Sequence, residues 1–217
     1  MQGVSAFQLV QGPNMSGKST FIRQVGLLNI QAMLGCFVPA EYASFRLHDS
    51  LLSRLSNDDL VEKSLSTFAA EMATSAMILG MATPRSLILI DELGRGTAPQ
   101  EGFGLSHAIG EALIRTKAFV YFATHFHDLA TTLCSHPGVV NVHLEVEHNR
   151  HDPNSAEFGT VFQYRVVEGP NREEHYGLEL AKLASLPLKV MTRAREVAYK
   201  LTELEDKGLG ITGSRSW

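Results

Sequence analysis

The run Gly12-Pro13-Asn14-Met15-Ser16-Gly17-Lys18-Ser19 constrains this chain more than any other feature, because it meets the G-x4-G-K-[ST] pattern in full. A loop of this kind works only between a strand and a helix. The strand delivers the chain to a sheet edge, and the helix beyond aims its unsatisfied N–H groups and positive end at an anion. The flanks meet that requirement: Phe7 to Val10 is a short, mostly apolar run, and Phe21, Val25, Leu28 and Ala32 recur at helical spacing. The stretch Gly12 to Thr20 would then wrap a di- or triphosphate, with Lys18 reaching the β- and γ-phosphates and the Ser19 hydroxyl holding Mg2+.

A phosphate loop needs acids opposite it, and the chain offers a pair. Leu87-Ile88-Leu89-Ile90 has the continuous apolarity of a strand buried on both faces, as in a parallel sheet, and it runs into Asp91-Glu92. Ligands sit at the carboxyl edge of such sheets. Asp91 suits the orientation of Mg2+ or its water, and Glu92 suits removal of a proton from an attacking water. Without the phosphate loop the same two acids would read equally well as a solvated turn. Phe119 to Ala123 is a further buried strand, ending at Thr124-His125. His125 is placed to sense a γ-phosphate, or else is a satisfied structural histidine. His127 has no third ligand at a fitting spacing, Cys134 is isolated, and His143, His148 and His151 read as strand and loop residues, so the expected metal is the nucleotide's Mg2+.

Elsewhere the periods alternate. Residues 36–62 show no clean repeat and suggest short strands and loops. Ser66-Thr67 reads as an N-terminal cap for a helix to Ala82, with Phe68, Met72, Ser75-Ala76 and Leu79 on one stripe and Pro84 ending it. A helix from Gln100 to Arg115 would turn Leu105, Ala108, Ile109 and Ala112 inward. After Pro137, Val142, Leu144 and Val146 alternate with polar residues, as do Phe162, Tyr164 and Val166, predicting two strands paired across a polar loop, His148 to Glu157. Two helices, Gly177 to Ala184 and Leu188 to Leu204, follow around Ser185-Leu186-Pro187 as a helical hairpin, and a Gly/Ser-rich tail closes the chain. The order strand, loop, helix predicts an α/β fold with a mostly parallel sheet flanked by helices. The reading divides the chain into residues 1–170, 171–204 and 205–217, the last a disordered tail.

Composition sets the outer limits. The 217 residues are 44% hydrophobic and 19% charged, enough for a sizeable core. A formal charge of −4 does not suit a free-standing duplex binder, so any role on nucleic acid must lean on another chain. Cys36 and Cys134 are expected to be unpaired thiols in a reducing compartment. The sequence predicts no membrane helix and no secretory leader, hence an intracellular protein.

Taken together, Gly12–Thr20, Ser66–Met72 (STFAAEM), Asp91–Thr97 (DELGRGT) and Ala123–His125 closely resemble the ATPase domain of the MutS family. The resemblance runs from about Phe7 to Leu204. Its wording at Val38–Leu47, Ser86–Thr97 and His143–His148 is most like a meiotic branch of that family, with a mismatch-repair paralogue as one alternative and a nucleotide-dependent dimerisation module with negligible turnover alone as another. What the resemblance implies is a P-loop NTPase of the ABC class with a C-terminal helix-turn-helix used for dimerisation. It implies ATP and Mg2+ as ligands, a related subunit as heterodimer partner, and a nuclear, chromosomal location. It also implies that Ser66 and Thr67 act on the partner's nucleotide, that Gly94 to Thr97 line the dimer seam, and that Asn14 brings its amide toward the phosphates or attacking water. An ABC transporter subunit is the weaker fit, since Ser66–Met72 stands where an LSGGQ-like segment belongs. The family's mismatch-recognition, connector, lever and clamp regions are not in this sequence, and DNA contact would lie in them. An apolar face left by the lever, limited solubility, and a fragment of a longer product are the corresponding expectations.

Overall fold

Strands β1 (Phe7–Gln11), β2 (Leu51–Arg54), β3 (Leu87–Asp91), β4 (Phe119–Ala123), β5 (Val139–His148) and β6 (Thr160–Glu168) form one six-stranded sheet in the order β2-β3-β4-β1-β5-β6. The computed structural model describes residues 6–55, 64–148, 160–169, 177–178, 181 and 186–206. Every pairing is parallel except β5 with β6, so the architecture is the mixed α/β sheet that the sequence predicts. The helices are α1 (Lys18–Met33), α2 (Ser64–Met81), α3 (Pro99–Thr116), α4 (Asp128–Leu133) and α5 (Leu188–Asp206).

Alternation along the strands divides the core into two layers. Ile88 and Ile90 of β3 join Leu9, Val120 and Phe122 under Ile78 of α2, Leu113 of α3 and Leu129 and Leu133 of α4. Leu87 and Leu89 face the other way, with Val10, Ala123, Val142 and Leu144, under Ile22 of α1. All five residues of β3 are buried. Each of the four aliphatic side chains, Leu87 to Ile90, contributes roughly 1.5–3 kcal/mol by leaving water, which makes β3 a rigid mount for the acids at its end.

Two stripes differ from their predicted positions. On α3 the buried residues are Gly102, Ser106, Gly110 and Leu113, whereas Leu105 and Ala108 are exposed. Small residues let the α3 backbone approach closely: a Cβ on Gly110 would lie 3.0 Å from a Leu133 methyl, and one on Gly102 would lie 2.2 Å from the Gly94 carbonyl oxygen. Hydrophobicity alone does not see contact made by backbone. On α2, Glu71, Ser75 and Ile78 are buried while Ala76 is exposed, because the face turned to the sheet carries a carboxylate.

The β5–β6 hairpin is present, with a correction at Tyr164. Leu144 pairs with Val166 but Val146 pairs with Phe162, so β6 carries extra residues around Tyr164, which has φ 52°. The bulge turns Tyr164 out of the core alternation and leaves it 68% exposed. The predicted polar connection falls on residues outside the described set, as do most of the first helix of the C-terminal hairpin and the tail from residue 207. The chain resolves into two units, one with β1–β6 and α1–α4, the other with α5. In the second unit Pro187 accepts the N–H groups of Val190 and Met191 as α5 starts, and Val190, Ala194, Val197 and Leu201 share one side of the helix. In the first unit Leu27, Ile30 and Leu34, at helical spacing, are exposed on α1 and its end, as is Phe37 beyond it. Cys36 and Cys134 are free thiols. Among the described residues no helix is long and apolar enough to cross a membrane.

Candidate functional site

Three chain segments leave the sheet along one edge. Val10 and Asp91 are both in register with Ala123, and the ladder runs one step further: the Glu92 N–H donates to the Ala123 carbonyl at 3.0 Å and the Thr124 N–H to the Val10 carbonyl at 3.2 Å. The glycine loop, the acid pair and Thr124-His125 therefore emerge together at the carboxyl edge of parallel strands. β1 lies between β4 and β5, so its loop opens at the centre of the sheet.

The loop is built by backbone that few residues other than glycine adopt. Gly12, Met15 and Gly17 have φ of 144°, 69° and 100°, and a Cβ on Gly12 would meet the Ser16 hydroxyl at 2.7 Å. Ser16 N–H closes a turn onto the Pro13 carbonyl at 3.3 Å. Gly17 precedes α1 with no side chain capping it, so the leading N–H groups of a 16-residue helix face the loop interior. Lys18 is buried there, its ammonium donating to the Gly12 carbonyl at 2.7 Å and the Pro13 carbonyl at 3.2 Å. Among the described residues the buried Ser16 Oγ has no hydrogen-bond partner. A buried cation, uncapped amides and an unsatisfied hydroxyl form a donor set that fits the oxygens of a phosphate chain. Ser19 is half-buried beside Lys18, while Asn14 and Thr20 are exposed on the rim.

Charges converge on this cradle. Burial holds the Lys18 ammonium below the usual lysine range, while Glu92 and then Asp91 act in the opposite direction. Asp91 is fully buried at the end of β3; its carboxylate and the Ser19 hydroxyl are hard oxygen donors of the kind that could hold Mg2+. Glu92 has φ 50°, an uncommon conformation for a residue with a Cβ, and its carboxylate accepts from the Arg95 guanidinium at 2.7 Å. Glu92 is 11% exposed and Arg95 64% exposed. Burial pushes the His125 imidazole below its ordinary value; Glu92 counters this, and Arg95, Lys18 and His127 add to it. Lys18, Glu92, His125 and Arg95 thus share one electrostatic neighbourhood, and His125 lies against the Phe126 ring with centroids 4.0 Å apart. His143 of β5 is in register with Gln11, and its Nδ1 lies 2.9 Å from the Gly169 carbonyl oxygen.

Ser66 and Thr67 stand inside the first described turn of α2, which begins at Ser64, and not at its cap as the sequence predicts. A serine tolerated as a cap is also tolerated one turn in, so local pattern alone does not fix the boundary. Their side chains lie outside the described set.

Three further residues enter the site without a sequence signal of their own. Tyr164 packs its ring edge against the loop, with its Cδ1 3.3 Å from where a Cβ on Gly17 would stand. Gln11, buried at the end of β1, donates to the His127 carbonyl at 3.4 Å. Glu71 of α2 accepts the Gly94 N–H at 2.9 Å and pairs with Arg54 at 3.0 Å, beneath the loop that bears the acids.

The profile of MutS domain V matches residues 8–202, nearly the whole chain. The chain belongs to the MutS family. It is 43% identical over 198 residues to MutS protein homolog 4 of Homo sapiens, covering 91% of this chain and 21% of that protein. It is 42% identical over 210 residues to DNA mismatch repair protein Msh2 of Dictyostelium discoideum, covering 96% of this chain and 22% of that protein. DNA mismatch repair protein MutS of Fervidobacterium nodosum is 39% identical over 94% of this chain and 24% of its own length. The chain therefore spans about a fifth to a quarter of the length of these MutS-family relatives.

Proposed function

We propose that this MutS-family chain binds and hydrolyses ATP as a nucleotide switch within a larger DNA-handling complex, in the manner of a P-loop NTPase of the ABC class. The supporting observation is the gathering of the glycine loop, Asp91-Glu92 and His125 at one carboxyl edge, with Lys18 and His125 each feeling Glu92. On this reading Gly12 to Gly17 and the start of α1 hold the phosphates. Lys18 exchanges two loop carbonyls for phosphate oxygens, and Ser19 and Asp91 hold Mg2+, which when bound offsets phosphate charge. Glu92 takes the proton of the attacking water once Arg95 has released its carboxylate. A neutral His125 donates to the terminal phosphate. Tyr164 offers an exposed ring beside the loop as a platform for the base.

The reading extends to Ser66 and Thr67 of α2 acting on the nucleotide of a related MutS-family subunit, with a helix-turn-helix at residues 171–204 helping to join the two. The biological role we propose is a nuclear one, in meiotic recombination, from the similarity to MutS protein homolog 4. A mismatch-repair role is the second reading, favoured by the similar identity to Msh2 over more of the chain. DNA would be gripped by parts of the longer relatives that this chain does not span.

A titration with a fluorescent ATP analogue in magnesium buffer tests the proposal. Saturable uptake is expected, lost in Lys18→Met. Glu92→Gln is expected to keep the uptake and slow single-turnover hydrolysis by on the order of 10²-fold or more. Absence of saturable uptake by folded, unmodified protein overturns the reading.

A further inference from the structure

Glu92 holds a left-handed backbone conformation, and the residues around it show what keeps it there. The Asp91 carbonyl accepts from one arm of the Arg54 guanidinium at 2.5 Å. The Leu93 carbonyl accepts from the Ser106 hydroxyl at 2.7 Å, and the Gly94 N–H donates to Glu71 Oε1 at 2.9 Å. The other arm of Arg54 reaches that same Glu71 oxygen at 3.0 Å. Arg54 ends β2 and Glu71 lies on α2, with side chains 18% and 4% exposed. One ion pair thus clamps the chain immediately before Glu92 and again two residues after it.

This pair is poorly explained as a source of stability alone. Removing two charges from water costs several kcal/mol, and apolar residues of similar volume commonly serve a core as well or better. A fork with two donors and a carboxylate that accepts twice does something apolar side chains cannot: it fixes the direction of a carbonyl and an N–H on either side of a strained residue.

We propose that Arg54 and Glu71 are positioning residues for Glu92, holding its carboxylate where it can serve the reaction and tying that position to α2. The inference rests on the hydrolytic reading of Glu92 given above, and it adds that a shift of α2 is transmitted to the acid through Glu71.

The full chain carries the test. Glu71→Gln keeps an acceptor for the Gly94 N–H and loses the charge facing Arg54; Arg54→Lys keeps the charge and loses the fork. Both variants are expected to retain ATP-analogue affinity within about threefold and to lower single-turnover hydrolysis by on the order of 10- to 10²-fold, the scale of a small misplacement of a catalytic group. In a Glu92→Gln background Glu71→Gln is expected to have no further effect, since the group it positions is gone; a merely structural role would lower the rate equally in both backgrounds. Amide exchange in the nucleotide-free protein gives a reading independent of turnover: Gly94 should exchange at least about tenfold faster in Glu71→Ala, which removes its acceptor, with Ile90 of β3 unchanged. Unchanged Gly94 exchange, or additive rate losses in the two backgrounds, overturns the positioning role. Failure of the unmodified chain to take up nucleotide overturns the hydrolytic reading instead, and the exchange result stands apart from it.

Discussion

Lys18 is bonded to the carbonyls of its own loop, so the fold itself shapes the cradle and desolvates its cation. His125 is the group in this neighbourhood whose protonation is testable near neutral pH. Burial favours its neutral form, so the unfolded chain takes up a proton near pH 6.5 while the folded chain takes it up only at lower pH. The histidine's contribution to stability is therefore full above about pH 6.5 and is lost as pH falls through the lower, folded value. Thermal unfolding of the unmodified chain and of His125→Gln between pH 7.5 and 5 should show a steeper acid-side decline for the former. Parallel curves would mean that the imidazole is not held neutral. The residues that do most at this scale were uneven to read from sequence. Gly12, Lys18 and Ser19 stand in an ungapped pattern that backbone chemistry enforces, whereas Glu71, Arg54 and Tyr164 meet the site from distant segments and obey no spacing.

At the scale of elements, α3 shows how a correct helix hides an incorrect face. Its predicted apolar stripe put Leu105 and Ala108 inward, but the helix lays Gly102, Ser106 and Gly110 against the molecule so that its backbone touches the loop after β3. The same substitution at two places on this helix should therefore have opposite signs. Gly102→Ala drives a Cβ to 2.2 Å from the Gly94 carbonyl oxygen, contact that only a backbone shift relieves, and should cost about 1–3 kcal/mol. It should also slow hydrolysis, because the displaced loop carries Glu92. Gly104→Ala meets no described atom within 4 Å and should stabilise by roughly 0.5–1 kcal/mol through the lost backbone freedom of the unfolded chain. Melting curves of the two variants decide this, and a loss at both positions would show that α3 packs differently. Strands were the most legible elements: β3 and β4 are continuous apolar runs ending in polar residues, which is how a strand buried on both faces must look. Bulges such as that at Tyr164 leave the alternation of the flanking residues intact and so leave no trace in the pattern.

For the molecule as a whole, the parallel strands β1, β3 and β4 deliver the glycine loop, the acid pair and His125 to one edge. Arg95, largely exposed, occupies the Glu92 carboxylate in the lone chain, and a base bonded to a guanidinium is a poor acceptor for a proton from water. On the proposed reading, Ser66 and Thr67 of α2 and the seam loop from Gly94 to Thr97 would meet a second subunit at this edge, and that subunit is a different MutS-family chain. Turnover per chain should accordingly be low and independent of concentration for this chain alone, since the subunit proposed to complete its site is a different one. It should rise when the corresponding domain of a MutS-family paralogue is added, and the rise should vanish with Lys18→Met in this chain if the stimulated site is its own. The measurement is steady-state phosphate release across a hundredfold range of protein concentration, with and without the added domain. A rate per chain that climbs with concentration in the absence of any paralogue would show that two copies of this chain close on each other, and the heterodimer reading would give way to a homodimer.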